Sequence, residues 1–133
     1  MNIILIGPVS DNVERAKRVF ALAEKLLTEA GHIVVHNPMR DHMAGLTEAQ
    51  YMAQSLSSIC NLKGEGRIRG TLCAFLLPSF RDSMGSICEY WLCLKLGIWT
   101  QTTDSKRTFP QELCEQIIQE HNRKEVTTNG KEG

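Results

Sequence analysis

The residues of this chain that are best placed to do chemistry lie between positions 72 and 97. An unbroken apolar run opens this segment and ends at a proline, which predicts a strand covered on both faces. A polar loop follows, and Ser83 is then a candidate N-cap for a helix that carries Glu89. The amides at the start of that helix would point toward the carboxyl end of the strand. The segment therefore predicts a site for an anionic or hydroxylated ligand, with Glu89 close to its mouth.

The helix of Glu89 is indicated by apolar residues at helical spacing and by a glycine stop signal. The apolar positions are Ile87, Trp91, Leu94 and Ile98, and the stop signal is Gly97. Apolar residues also occupy more than one face of this helix, around Trp91. We therefore expect a homodimer or a larger assembly, with this helix or the preceding helix at the interface.

Upstream, the chain shows the pattern of a strand, a helix and a second strand. Residues 2–6 are a compact apolar strand, and Asp11 with Glu14 resembles a capping box at a helix start. The inner stripe of this helix is predicted to be Val13, Ala16, Phe20, Ala23, Leu27 and Ala30, with Gly31 closing the helix. Residues 32–36 form the second strand, which ends before a proline. Such a unit predicts a right-handed crossover and a parallel sheet.

One more helix is expected before the segment that carries Glu89. The loop 39–46 is long enough to be functional, and Thr47 with Gln50 forms a second capping box. The apolar stripe that follows consists of Ala49, Met52, Leu56 and Ile59. Residues 61–70 are rich in glycine and charge, which predicts an exposed loop or an insertion.

The remaining residues predict a short fourth strand at 98–100 and a last helix that Pro110 starts. The polar tail 123–133 is predicted to be disordered. Residues 1–122 are thus predicted to form one domain, a three-layer, flavodoxin-like α/β fold. Its parallel sheet would have four to five strands with helices on both faces, and the runs 2–6 and 72–77 would be central in it because they are continuously apolar.

Composition narrows the classes of function. The formal net charge is zero, so the chain has no electrostatic footprint of a protein that binds nucleic acid or a membrane surface. The five cysteines lack zinc-site spacing, and we interpret them as reduced thiols of a cytoplasmic protein that holds no metal. The loop after the first strand, GPVSDN, lacks the glycine patterns of dinucleotide and triphosphate sites, and no cofactor is expected. No targeting or membrane-spanning segment is visible in the sequence.

The order and spacing of several short motifs resemble one known family. The motifs are Gly7-Pro8, Gly31-His32-x-Val34, Asn37-Pro38, Tyr51-Met52, Leu76-Leu77-Pro78, Ser83-x-Gly85-x-x-x-Glu89 and Leu96-Gly97. Together they resemble the nucleoside 2-deoxyribosyltransferase-like proteins, which include the related deoxynucleoside monophosphate N-glycosidases, over residues 3–98. The resemblance implies cleavage of the N-glycosidic bond of a 2-deoxynucleoside or its 5′-monophosphate, with transfer to another base or to water.

The same resemblance assigns roles to individual residues. Glu89 would attack the anomeric carbon and form a glycosyl-enzyme intermediate, because a carboxylate can stabilise and trap an oxocarbenium-like centre. Such a nucleophile must be ionised, so its pKa is expected at about 4.3 or below. Tyr51 would orient Glu89. The substrate-binding residues would be Gly7, Pro8, Asn37, Ser83, Gly85 and Ser86, of which the last three would meet a 5′-hydroxyl or 5′-phosphate.

The chain departs from the family pattern on its second helix. An aspartate is usual a few residues after the Tyr-Met pair, and Gln54-Ser55 stands there instead. Carboxylates that could replace it in space are Glu48, Glu65 and Asp82, and acid or base partners could come from His36, Asp41 and His42. The departure leaves open whether the protein is an enzyme or a binding protein that holds a nucleotide-derived ligand without turning it over. A purely structural protein is the third hypothesis.

Overall fold

The computed structural model describes residues 1–40, 45–64, 70–104 and 109–123. The candidate residues Asp41, His42 and Glu65 and most of the predicted tail lie outside these ranges. The elements, in chain order, are β1 (Asn2–Ile6), α1 (Val13–Glu29), β2 (Ile33–His36), α2 (Glu48–Gly64), β3 (Leu72–Leu76), a 3-10 turn (Phe80–Asp82), α3 (Met84–Lys95), β4 (Trp99–Thr102) and α4 (Gln111–Asn122).

The strands form one parallel sheet in the order β2-β1-β3-β4. Strand β1 pairs with β3 in unbroken register from Asn2 opposite Leu72 to Ile6 opposite Leu76. The two continuously apolar runs are therefore the inner strands, as predicted. The four-stranded parallel sheet with its helices confirms the three-layer, flavodoxin-like α/β fold.

Helices cover both faces of the sheet, because successive side chains of a strand point to opposite sides. On one side Ile3, Leu5 and Phe75 pack in a core with α1 and α4. On the other side Ile4 and Leu76 pack with α2 and α3. These strand residues are essentially inaccessible to solvent, which explains why β1 and β3 have no polar alternation.

The start of α1 differs from the prediction. The N-cap is Asn12, whose extended backbone lets its Oδ1 accept a hydrogen bond from the amide of Arg15 at 3.0 Å. Asp11 instead forms an ion pair with the Arg15 guanidinium at 2.8 Å. Val13 and Ala30, predicted to face inward, lie at the two ends of the helix and are exposed, whereas Val19 is buried.

Helix α2 begins as predicted and ends later than predicted. The amide of Thr47 donates to the Gln50 side chain at 2.9 Å, and the amide of Gln50 donates to the Thr47 hydroxyl at 3.2 Å, which confirms the capping box. The predicted loop at 61–70 is wrong in its first part, since the helix continues to Gly64. Leu62 explains the extension, because it packs one turn beyond Ile59 against the same core.

Helix α3 has the predicted N-cap but a different buried face. The amide of Ser86 donates to the Ser83 hydroxyl at 3.3 Å. The fully buried residues are Ser86, Glu89 and Cys93, whereas Trp91 is 64% exposed. Of the predicted apolar positions, Trp91 and Leu94 are therefore exposed and Ile98, after the helix, is buried, because α3 packs on the sheet through Cys93.

The last two elements follow the prediction with small shifts. Strand β4 covers 99–102 rather than 98–100, and α4 follows Pro110. Leu113 and Ile117 of α4 are buried against α1. None of the helices built from the described residues is long and apolar enough to span a lipid bilayer.

Candidate active site

A cleft opens at the carboxyl end of the sheet, between the end of β1 and the start of α3. Strand order reverses here, because the chain leaves β1 toward β2 on one side and leaves β3 toward β4 on the other. Open α/β sheets bind ligands at such a switch point. The structure brings six predicted residues together around this cleft, namely Gly7, Tyr51, Ser83, Gly85, Ser86 and Glu89.

Glu89 lines the cleft, yet its side chain is only 4% exposed. The hydroxyl of Ser55 donates a hydrogen bond to Glu89 Oε2. Burial raises the pKa of Glu89 to about 7, against the smaller effect of the Ser55 hydrogen bond, which lowers it. The predicted ordinary or low pKa is therefore wrong. The amides at the start of α3 do not prevent this increase in the pKa. The field of a helix terminus falls off within the first turn, and Glu89 lies in the second turn.

Ser55, where the resemblance described above predicts an aspartate, is buried. Its hydroxyl also lies 3.3 Å from Nε2 of His36, the last residue of β2, which is itself buried. His36, named above as a possible acid or base partner, thus lies next to the hydrogen bond between Ser55 and Glu89. Buried polar groups need such partners, since an unpaired one costs about 1–3 kcal/mol.

Ser86 has a hydroxyl that lacks a hydrogen-bond partner among the described residues, although the residue is 1% exposed. The Ser83 hydroxyl, in contrast, is used as the helix cap. The unpartnered hydroxyl lines the cleft beside the first turn of α3, where backbone amides have no partner within the helix. This corner of the cleft can therefore donate hydrogen bonds to a bound anion or hydroxyl group.

Gly7 lines the cleft, but its lack of a side chain also has a structural reason. A Cβ at this position would lie 2.9 Å from the Cβ of Leu77, just after β3. Glycine is therefore required for packing against the neighbouring strand end, whether or not a ligand approaches it. Gly85 is less constrained, since its Cβ would meet the flexible thioether of Met52 at 3.0 Å.

Replacing Gly7 with Ala is expected to destabilise the protein by about 1–3 kcal/mol, because backbone-anchored atoms must move to admit the methyl group. Urea denaturation would measure the change in the free energy of unfolding. Gly64→Ala is the matched control, since nothing lies within 4 Å of its added Cβ. Equal stabilities of the two variants would contradict this account of Gly7.

Two predicted substrate-binding residues do not line the cleft. Pro8 is buried behind it. Asn37 has a local structural role, because its Oδ1 accepts from the amides of Met39 and Arg40 at 3.0 and 3.3 Å. Its Nδ2 donates to Glu24 at 2.8 Å. Asn37 therefore holds the turn that brings Met39 to the cleft wall.

The cleft wall contains one of the carboxylates named above as a possible substitute, Glu48, and several apolar residues that the sequence did not assign to a ligand site. The wall includes exposed Glu48 and the apolar side chains of Val9, Val13, Met39, Leu46 and Met52. Asp82, a possible substitute for the missing acid, is exposed on the 3-10 turn and does not line the cleft. Within the described ranges, no three His, Cys, Asp or Glu side chains converge as a metal-ligand set.

The residues that line this cleft lie within the part of the chain that matches a protein-family model. The family model described as Domain of unknown function (DUF4406) matches residues 1–101, which include Ser55, Ser86 and Glu89. No curated protein and no solved structure matches the chain. Because the family model covers most of its length, from β1 into β4, the chain belongs to the DUF4406 family.

Proposed function

We propose that the protein cleaves the N-glycosidic bond of a 2-deoxynucleoside or its 5′-monophosphate, with Glu89 as the nucleophile and another base or water as the acceptor. The observation that carries this proposal is one buried carboxylate in the same cleft as an unpartnered serine hydroxyl and a helix N-terminus. The resemblance to nucleoside 2-deoxyribosyltransferase-like proteins supports the choice of substrate.

The spacing of Ser86 and Glu89 fits such a substrate. Residues three apart lie on the same face of a helix, separated by about 4.5 Å along its axis. This separation is comparable to the span of a furanose from its 5′-oxygen to its anomeric carbon. A 5′-hydroxyl or 5′-phosphate held at Ser86 and the first amides of α3 would thus place the anomeric carbon beside Glu89.

Glu89 can then divide one difficult displacement into two. Its carboxylate attacks the anomeric carbon as the bond to the base breaks, and the resulting ester is displaced by a second base or by water. Above the pKa of about 7 the side chain is mostly ionised and can attack. Burial also strengthens its attraction to the developing positive charge on the sugar, because water is excluded.

A binding protein on the same fold is the second candidate. It is favoured by the loss of the usual aspartate, since Ser55 is buried away from solvent and supplies no second carboxylate. Such a protein would hold the ligand through Ser86 and α3 without breaking the glycosidic bond.

Turnover of a panel of deoxynucleosides and their 5′-monophosphates tests the proposal. The assays would be run at pH 8, with and without an acceptor base, and released or exchanged base would be measured by chromatography. We expect cleavage of at least one panel member. A folded protein that binds a panel member but cleaves none would establish the binding function instead.

We further propose that the enzyme acts in the cytoplasm as a homodimer. All five cysteines are free thiols, which supports a reducing compartment. The cleft of one chain holds only about 120 Å³, below the ~300–1,000 Å³ of typical ligand sites, so the described residues of one chain form an incomplete nucleotide site. The outward face of α3, with Met84 at 75% and Trp91 at 64% exposure, adjoins this cleft and supplies an apolar surface for a second copy.

The substitution Trp91→Glu is expected to convert the assembly to a monomer, because it places a charge in the apolar face of α3. Sedimentation velocity over a range of concentrations would measure the change. Ile33→Glu, which alters an equally exposed apolar residue on the edge strand β2, should leave the assembly intact. A wild-type protein that remains monomeric at all concentrations would contradict the proposal.

A further inference from the structure

We propose that Glu89, Ser55 and His36 form a proton relay through which Glu89 loses its proton while substrate covers the cleft. The inference rests on the proposed function, since it describes how the nucleophile becomes ionised. Its structural basis is a continuous line of three buried side chains that joins the ligand cleft to a second cavity.

The three side chains come from different elements, and each is at most 5% exposed. Glu89 lies on α3, Ser55 on α2 and His36 at the end of β2. The Ser55 hydroxyl donates to Glu89 Oε2 and lies 3.3 Å from His36 Nε2. One hydroxyl therefore contacts both titratable groups, as a relay requires.

The two ends of this line open on different spaces. Glu89 lines the ligand cleft, whereas His36 and Ser55 line a separate cavity of about 130 Å³. Tyr51 lines both and lies between them. A nucleoside seated against Glu89 would close the cleft side to water, and the histidine side would remain available for proton exchange.

The hydrogen bonds allow two arrangements, which differ in whether Glu89 or His36 Nε2 carries the additional proton. When Glu89 is ionised, Ser55 donates to it, and His36 Nε2 must carry a hydrogen to donate to Ser55. When Glu89 is protonated, it can donate to Ser55, and Ser55 then donates to an unprotonated Nε2. Passage from the second arrangement to the first moves one proton from Glu89 to Ser55 and the serine's own proton to Nε2. The ring can then release its other proton.

Other ionisable groups near Glu89 are poorly suited to this exchange. Burial raises the pKa of the Cys93 thiol, on the same helix, to about 12, so it stays protonated at neutral pH. Glu48 and Tyr51 of α2 reach the same cleft, and a ligand would cover them together with Glu89. Histidine is the side chain that ordinarily titrates near neutral pH.

Nitrogen-15 NMR of the His36 ring in the full-length, ligand-free protein tests the relay. Carbon-13 NMR of the Glu89 carboxyl would be recorded on the same samples between pH 5 and 9. We expect the hydrogen on Nε2 to appear as Glu89 ionises in the wild type and in Ser55→Thr, which keeps the hydroxyl. In Ser55→Ala the Nε2 signal should no longer follow the Glu89 titration, and the pKa of Glu89 should rise above about 7.

The relay would be overturned if the Nε2 signal of the wild type did not change as Glu89 titrates. It would also be overturned if the signal followed this titration equally in Ser55→Ala. Neither readout needs turnover. If no deoxynucleotide is cleaved but the coupling is seen, the proposed reaction fails and the proton link stands. If cleavage occurs without coupling, the relay alone fails.

Discussion

Turnover of the best deoxynucleotide is expected to fall at least about a thousandfold when Glu89 is replaced by Gln. Gln preserves volume and can still accept the Ser55 hydrogen bond, but it cannot form the glycosyl ester or neutralise the cationic sugar. A thousandfold loss corresponds to about 4 kcal/mol of transition-state stabilisation. The rate constant kcat and the specificity constant kcat/KM would be measured by base release at pH 8.

Ligand binding should change much less than turnover, because the ground-state sugar carries no positive charge and Ser86 is unaltered. Calorimetric titration with a deoxynucleoside monophosphate would compare the two proteins. Glu112→Gln, an exposed change on α4, is the matched control and should retain full activity. If Glu89→Gln cleaves substrate as fast as wild type, Glu89 is not the nucleophile.

The same substitution is expected to stabilise the protein by about 3 kcal/mol at pH 8, because it removes a buried charge. The folded pKa of about 7 lies above the ordinary value of about 4.5, so the unfolded chain releases this proton first as pH rises. The cost to stability of keeping ionised Glu89 buried is absent below about pH 4.5, grows up to about pH 7 and reaches its full size above that pH. The free energy of unfolding of the wild type should therefore fall as the pH rises through this window. In Glu89→Gln this decrease should be absent, because residue 89 no longer titrates.

Urea unfolding at pH 5 and pH 8 would measure the difference, again with Glu112→Gln as control. The advantage of Glu89→Gln over wild type should be much larger at pH 8 than at pH 5. An equal difference at both values would show that Glu89 does not titrate between them and that its burial has little effect on its charge. Activity maintained at a cost in stability is common at functional sites.

The fold could be predicted from local patterns, because the inner strands are apolar on both faces and the helix starts carry their own caps. Thr47 with Gln50 and Ser83 with Ser86 form caps from residues three apart, so their hydrogen bonds follow from the sequence nearby. The orientation of α3 could not be predicted in this way. Apolar residues occupy several of its faces, and only packing against the sheet end selects Glu89 for the inside and Trp91 for the outside.

Part of the site was predictable for the same reason. Ser83, Gly85, Ser86 and Glu89 lie on one short stretch, so their grouping follows from one helix. The contact of Ser55 with Glu89 joins residues 34 positions apart, and its contact with His36 spans 19. Both depend on how α2 packs over the sheet, as does the burial that raises the pKa of Glu89.

The configuration of the product at the anomeric carbon tests the central claim most directly. Methanol would be added as acceptor, because a methyl glycoside cannot interconvert its anomers in neutral water, and proton NMR would identify the anomer formed. Two successive displacements at one carbon, with Glu89 as the nucleophile of the first, predict retention of the β-configuration. The α-methyl deoxyriboside would show direct displacement without a glycosyl-enzyme and would contradict a nucleophilic Glu89.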